Sequence, residues 1–274
     1  MKKTIALLLA VLCVFALFCG CSKSSEQTNS ATADEVTTQA PATTEPEFSA
    51  EEIVQIYMDN MSVWEYVPVS SEAYRYLFLD LDFDGILELI TTTMQGSAQA
   101  SDNKFYRVDT ETKTVSEIPF PDKNPNQQWD FEGGDYPQIY RNNETGELKY
   151  MVYDHERAAA MAAGMHIGEL TLDSDGNISS KNLWATSYIG AESPLSETGE
   201  DSYSFSIYDE NSNAKEVSEE EYTNYVADYE NKNTHMELDF YVVESANVEY
   251  TFTELTKEEQ AEKLLMSYTV FSYK

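Results

Sequence analysis

Between Asp80 and Glu88 the chain reads Asp-Leu-Asp-Phe-Asp-Gly-Ile-Leu-Glu, with carboxylates at Asp80, Asp82, Asp84 and Glu88. Acidic residues two apart, closed by a glycine turn, can bring their oxygens onto one point, which is what a hard cation such as calcium requires. If Asp80 opens the loop, Asp82 and Asp84 take the third and fifth places. Gly85 supplies the turn, Ile86 offers its backbone carbonyl, and Glu88 takes the ninth place. The metal-free alternative is a solvated turn whose aspartates accept hydrogen bonds from nearby backbone amides. Repulsion among several carboxylates flanked by Leu81 and Phe83 favours the cation, because burying like charges together is costly.

The spacing matches the first half of an EF-hand loop, but Thr91 stands at the twelfth position, where that motif places a bidentate glutamate. The pattern resembles more closely the strand–loop–strand calcium loops of FG-GAP and related repeats, written Asp-x-Asp-x-Asp-Gly-x-x-Asp, with Glu88 in the last acidic place. Phe83 occupies a position where such loops often carry glycine. The stretch also resembles a segment common in lipoproteins of gut Firmicutes, in which a capped helix precedes a strand running into Asp-x-Asp-x-Asp-Gly-x-x-Glu-Leu. That resemblance implies a calcium loop and a surface location, and no particular activity.

A second candidate lies in Gln127 to Tyr136. Trp129, with Asp130, Glu132 and Tyr136 beside it, could grip a sugar ring by stacking and hydrogen bonding, and Asp130 with Glu132 could act as the carboxylate pair of a glycan hydrolase. The alternative is that Trp129 and Phe131 plug a long loop onto the core. His155, His166 and His235 are scattered and form no metal-binding helix pair. No nucleophile elbow, phosphate-binding glycine loop or dinucleotide fingerprint occurs. Binding or display, of a glycan or a protein ligand, is therefore expected ahead of catalysis.

The charge narrows the choice of partners. Seventeen basic residues face 49 acidic ones, for a net charge of −32, so nucleic acid is not an expected partner, since phosphate binding rests on a basic patch. All 3 cysteines, Cys13, Cys19 and Cys21, lie near the start. The remainder has no disulfide, thiolate nucleophile or cysteine–zinc site. Lys2 and Lys3 precede an apolar run, Ile5 to Phe18. The run is shorter than the roughly 20 residues of a membrane span and suits an export signal. It ends Leu17-Phe18-Cys19-Gly20-Cys21-Ser22, which resembles the lipobox of bacterial lipoproteins, with Phe18 where that family prefers a small aliphatic residue. The resemblance implies lipid attachment at Cys21 and a domain held at the extracytoplasmic face of the cell membrane.

Three segments follow: a signal over 1–21, a disordered Ser/Thr-rich linker over 22–47, and one α+β domain over 48–274. The linker is almost devoid of branched aliphatic residues and as a flexible coil would reach roughly 28 Å. Within the domain, Ser49…Glu52, Ser218…Glu221 and Thr256…Glu259 are capping boxes that predict about three helices. Tyr74 to Leu79 reads as a strand buried on both faces, with Leu77 and Leu79 on one side and Tyr76 and Phe78 on the other. Hairpins are expected at 103–119, 137–153 and 166–188, with Arg157 to Gly164 as a short helix or loop. Further strands are expected at 203–208, 236–243 and 248–252. An antiparallel sheet of hairpins results.

Overall fold

The computed structural model describes residues 48–274 except 66–73, 96–99, 120–128, 130, 132–136, 160, 173–175 and 245–251. The expected signal, linker and Cys21 lie outside the described residues, as do the expected strand positions 248–251. Glu45–Lys274 forms one compact unit.

All three capping boxes are present. Ser49 and Glu52 open α1 (Ala50–Asp59), Ser218 and Glu221 open α3 (Glu219–Lys232), and Thr256 and Glu259 open α4 (Lys257–Val270). In each, the hydroxyl accepts from the third helical amide and the glutamate accepts from the cap's own amide, so two donors that the helix cannot satisfy itself are satisfied locally. The first helix ends at Asn60, whose amide donates back to Ile56 and Tyr57, and a short α2 (Met61–Trp64) follows.

Three antiparallel sheets form. The first contains β1 (Tyr74–Leu79), β2 (Glu88–Gln95), β3 (Ala100–Asp109), β4 (Thr114–Ile118) and, far along the chain, β13 (Val243–Glu244), in the order β13-β1-β2-β3-β4. The second contains β5 (Gln138–Asn142), β6 (Leu148–Ala159), β7 (Ala162–Leu172), β8 (Ile178–Ile189), β9 (Ser202–Tyr208), β10 (Ala214–Val217) and β11 (Asn233–Met236), in the order β10-β9-β8-β7-β6-β5-β11. A small pair joins β12 (Leu238–Asp239) to β14 (Ser272–Tyr273). The fold is α+β.

Two expectations are corrected. The described residues of the alanine-rich stretch 157–164 are neither helix nor free loop. They carry the ends of β6 and β7, which pair from Tyr150↔Leu170 to Ala159↔Ala162, so two expected hairpins become one continuous meander. Cross-strand hydrogen bonding overrides alanine's helical preference here, because the neighbouring strand β8 supplies partners along the whole of β7. The single strand expected over 236–243 is broken into β11, β12 and β13, which serve three different sheets.

The apolar pattern of β1 explains the layering. Tyr74, Tyr76 and Phe78 join Ile53, Ile56 and Tyr57 of α1 and Leu264 of α4 in one core. Leu77 and Leu79 face the other way, into a second core with Ile139, Tyr150, Val152 and Leu170 of the second sheet. On the far side of that sheet, Met151, Ile167 and Trp184 meet Tyr222, Tyr225, Val226 and Tyr229 of α3. The layers therefore run helices, sheet, sheet, helix, and β1 is apolar on both faces because both are covered.

Tyr57 ties the first helix to the first sheet. Its buried hydroxyl donates its one proton to the Tyr106 carbonyl (2.9 Å), with the Leu87 carbonyl sharing it at 3.2 Å, and accepts from the Leu89 amide (3.2 Å). Tyr57→Phe should leave these backbone groups unsatisfied and lower unfolding free energy by about 1–3 kcal/mol in urea titration, with little change in volume.

Candidate metal centre

The loop between β1 and β2 is closed at its base by the cross-strand pair Leu79↔Glu88. Two residues reverse it with left-handed backbone: Phe83 at φ +59° and Gly85 at φ +90°. Glycine adopts that conformation freely, whereas a bulky residue there is strained by about 1–2 kcal/mol. Phe83 is held by its ring, which stacks on Tyr150 at 5.2 Å and 11° and meets Tyr273 edge-on at 5.8 Å. The Tyr150 hydroxyl also donates to the Asp80 carbonyl at 3.0 Å. On the other side of the loop, Tyr268 of α4 accepts from the Leu87 amide at 3.2 Å. Both layers packed on the first sheet thus brace the turn.

Each acidic side chain accepts a hydrogen bond from a loop amide. Asp80 Oδ2 accepts from Gly85 (3.1 Å), Asp82 Oδ1 from Asp84 (3.3 Å), Asp84 Oδ1 from Ile86 (2.7 Å) and Glu88 Oε2 from Leu81 (2.9 Å). These bonds shape the turn and leave oxygens over. Asp80, Asp82 and Glu88 each bring one carboxylate oxygen within 4.8 Å of the others. Asp80 and Glu88 are only 5% and 4% exposed, and Asp80 Oδ1 is buried with no hydrogen-bond partner. The triad could hold a metal ion.

Electrostatics point the same way. Burial, then the charges of Asp84 and Asp82, raise the Asp80 carboxyl from 3.8 to about 7, against the opposing pull of the Gly85 amide. Burial, then the Asp82, Asp80 and Asp84 charges, push Glu88 well above the usual carboxylate range. Burial and Asp84 raise Asp82 as well, with Arg107 pulling it back. Among the described residues no salt bridge reaches any of the three. Oxygen donors, convergence and the mutual repulsion of the carboxylates together suit a hard divalent cation.

Asp84 is close enough for its charge to act on Asp80 and Asp82 but is not one of the converging three: it is exposed and holds the Ile86 amide, so its carboxylate shapes the turn. Ile86 is half-buried. Trp129, a candidate for stacking on a ligand, is 1% exposed and sits in the core between the sheets with Phe131. A Cβ on Gly168 would lie 2.9 Å from its Cζ2, so the indole occupies the space that this glycine leaves open. Its ring presents no face to a sugar. Asp130, Glu132 and Tyr136 lie outside the described residues. His166 Nδ1 and the Tyr208 hydroxyl are 3.0 Å apart, His235 lies against Tyr140, and neither joins the acidic triad. Tyr150 and Tyr268, which brace the loop, carried no sequence signal, being distant in the chain.

No helix among the described residues is long and apolar enough to cross a membrane. No family model, curated protein or solved structure matches the chain.

Proposed function

We propose that the chain is an exported lipoprotein, anchored through Cys21 at the extracytoplasmic face of the cell membrane. Its domain binds or displays rather than catalyses, and Asp80, Asp82 and Glu88 hold a structural calcium ion. The observation that carries the metal reading is the buried Asp80 Oδ1, without a partner beside two further inward-facing carboxylates. A group so placed is costly unless a cation meets it. Calcium suits the loop better than magnesium, because all donors are oxygens and a turn between strands tolerates irregular geometry, whereas magnesium demands a near-ideal octahedron. The expected affinity is that of extracellular modules, Kd about 10⁻⁴–10⁻³ M.

The anchoring part rests on the order of Lys2-Lys3, the apolar run, Gly20-Cys21 and the polar linker. Metabolic labelling with a fatty acid would mark the native chain and leave Cys21→Ala unlabelled.

Calcium at ten times its Kd stabilises by about 1.4 kcal/mol, which for a domain of this size raises Tm by about 3–5 °C. Asp82→Ala should remove most of that rise, since Asp82 is half-exposed and its loss disturbs the fold least. An unchanged melting curve for the native chain in millimolar calcium would refute the metal assignment.

A further inference from the structure

The second sheet carries an exposed patch where α3 no longer covers it. Tyr188 of β8 and Tyr203 of β9 are cross-strand partners whose rings lie 5.0 Å apart at 38°. Tyr203 is 66% exposed, the highest figure among the large hydrophobic side chains of the described residues. Met161, at the β6–β7 tip, is 48% exposed on a left-handed backbone at φ +59°. The three form one surface. A Cβ on Gly190 would lie 2.8 Å from the Tyr188 hydroxyl and 3.1 Å from Met161 Cβ, and the Gly190 amide donates to the Met161 carbonyl at 2.7 Å. Asp201 steadies the platform, accepting from Tyr188 (3.4 Å) and from the Ala191 amide (2.7 Å).

The loop bordering this patch is acidic. From Gly190 to Ser204 the chain has Glu192, Glu197, Glu200 and Asp201, all exposed, and no lysine or arginine. An apolar centre bordered on this side by a loop of one sign favours a partner of the opposite charge. A second copy, also carrying −32, is repelled, as are nucleic acid and anionic lipid.

We propose that Met161, Tyr188 and Tyr203 form a docking surface for a basic protein segment. Its aliphatic or aromatic side chains would rest on the rings and Met161, and its lysines or arginines would meet the acidic rim and the tyrosine faces. This surface is separate from the β1–β2 loop and does not depend on calcium there.

The test uses the full-length chain in mild detergent and calorimetric titration with three probes: a peptide alternating arginine and leucine, its glutamate–leucine counterpart, and a neutral cello-oligosaccharide. Only the basic peptide should bind, equally in calcium and in chelator. Tyr203→Ala should weaken it about fivefold or more, as loss of a cation–π and packing contact implies. Glu192→Gln, Glu197→Gln and Glu200→Gln together should weaken it further and flatten the salt dependence. Tyr203 is exposed enough that its variant should keep the native melting temperature. The proposal fails if the basic peptide does not bind. It fails equally if binding is indifferent to Tyr203→Ala, since attraction would then be diffuse, or if the oligosaccharide alone binds in a Tyr203-dependent way.

Discussion

Metal-free protein will gain stability as the pH is lowered from about 8 to about 4, and saturating calcium will suppress most of that gain. The cause is Asp80, whose carboxyl rises from 3.8 to about 7 on folding, first through burial and then through Asp84 and Asp82. An acid with a raised folded-state pKa favours the folded state when protonated. Its effect on stability is therefore most favourable below about 4, is lost as the pH climbs through about 7, and is level above. At 1.36 kcal/mol per pKa unit the change approaches about 4 kcal/mol. Glu88, raised mainly by burial, acts in the same direction. Calcium at the proposed site would need the ionised carboxylates, so it would compete with the protons, and its stabilisation is expected to grow with pH up to about 7.

The net charge of −32 also relaxes on acidification. The part due to the loop is the difference between the native chain and Asp80→Asn, measured by urea unfolding in chelator and in calcium. Glu88→Gln provides a second reading. The amide oxygen can keep the bond from the Leu81 amide, now 2.9 Å from Oε2, while the buried charge disappears. Metal-free Glu88→Gln should therefore be more stable than the native chain at neutral pH and should lose most of its response to calcium. Identical pH profiles for native and Asp80→Asn protein in chelator would contradict the electrostatic account.

Trp129→Ala should cost about 3–5 kcal/mol, the range for deleting a fully enclosed aromatic side chain. The indole is 1% exposed among Leu77, Phe105 and Leu170. The Trp129 backbone carbonyl accepts from the Asn103 side-chain amide, which ties Trp129 to β3 of the first sheet. The Tm increment given by calcium should be unchanged, because Trp129 takes no part in the β1–β2 loop. Gly168→Ala should destabilise for the complementary reason: its new methyl would press on the indole and lie 2.8 Å from the Lys181 carbonyl. A stable Trp129→Ala protein that had lost only ligand binding would restore Trp129 as a recognition residue.

Several features of the protein are set locally and so could be read from the chain. The capping boxes at Ser49, Ser218 and Thr256 need only residues three apart. The β1 pattern, with Leu77 and Leu79 opposite Tyr76 and Phe78, needs only the two-residue period of a strand. The acidic spacing from Asp80 to Glu88 likewise announced a loop suited to a cation. Pairing across distance was not legible. The extension of β6 and β7 through an alanine-rich stretch depends on β8 lying alongside, and the enclosure of Trp129 depends on the second sheet closing over it.

The same division runs through the candidate site. Sequence determined which oxygens were available; tertiary structure decided which of them meet. Asp80, Asp82 and Asp84 are equivalent by spacing, yet Asp84 turns to solvent while Glu88, across the base of the loop, turns inward. That choice follows from the left-handed backbone of Phe83, held by stacking on a tyrosine far along the chain. It follows also from the two layers that bury Asp80 and Glu88. Local spacing fixes the order of charges along the chain, whereas their proximity and desolvation, on which the proposed cation site rests, belong to the packed molecule.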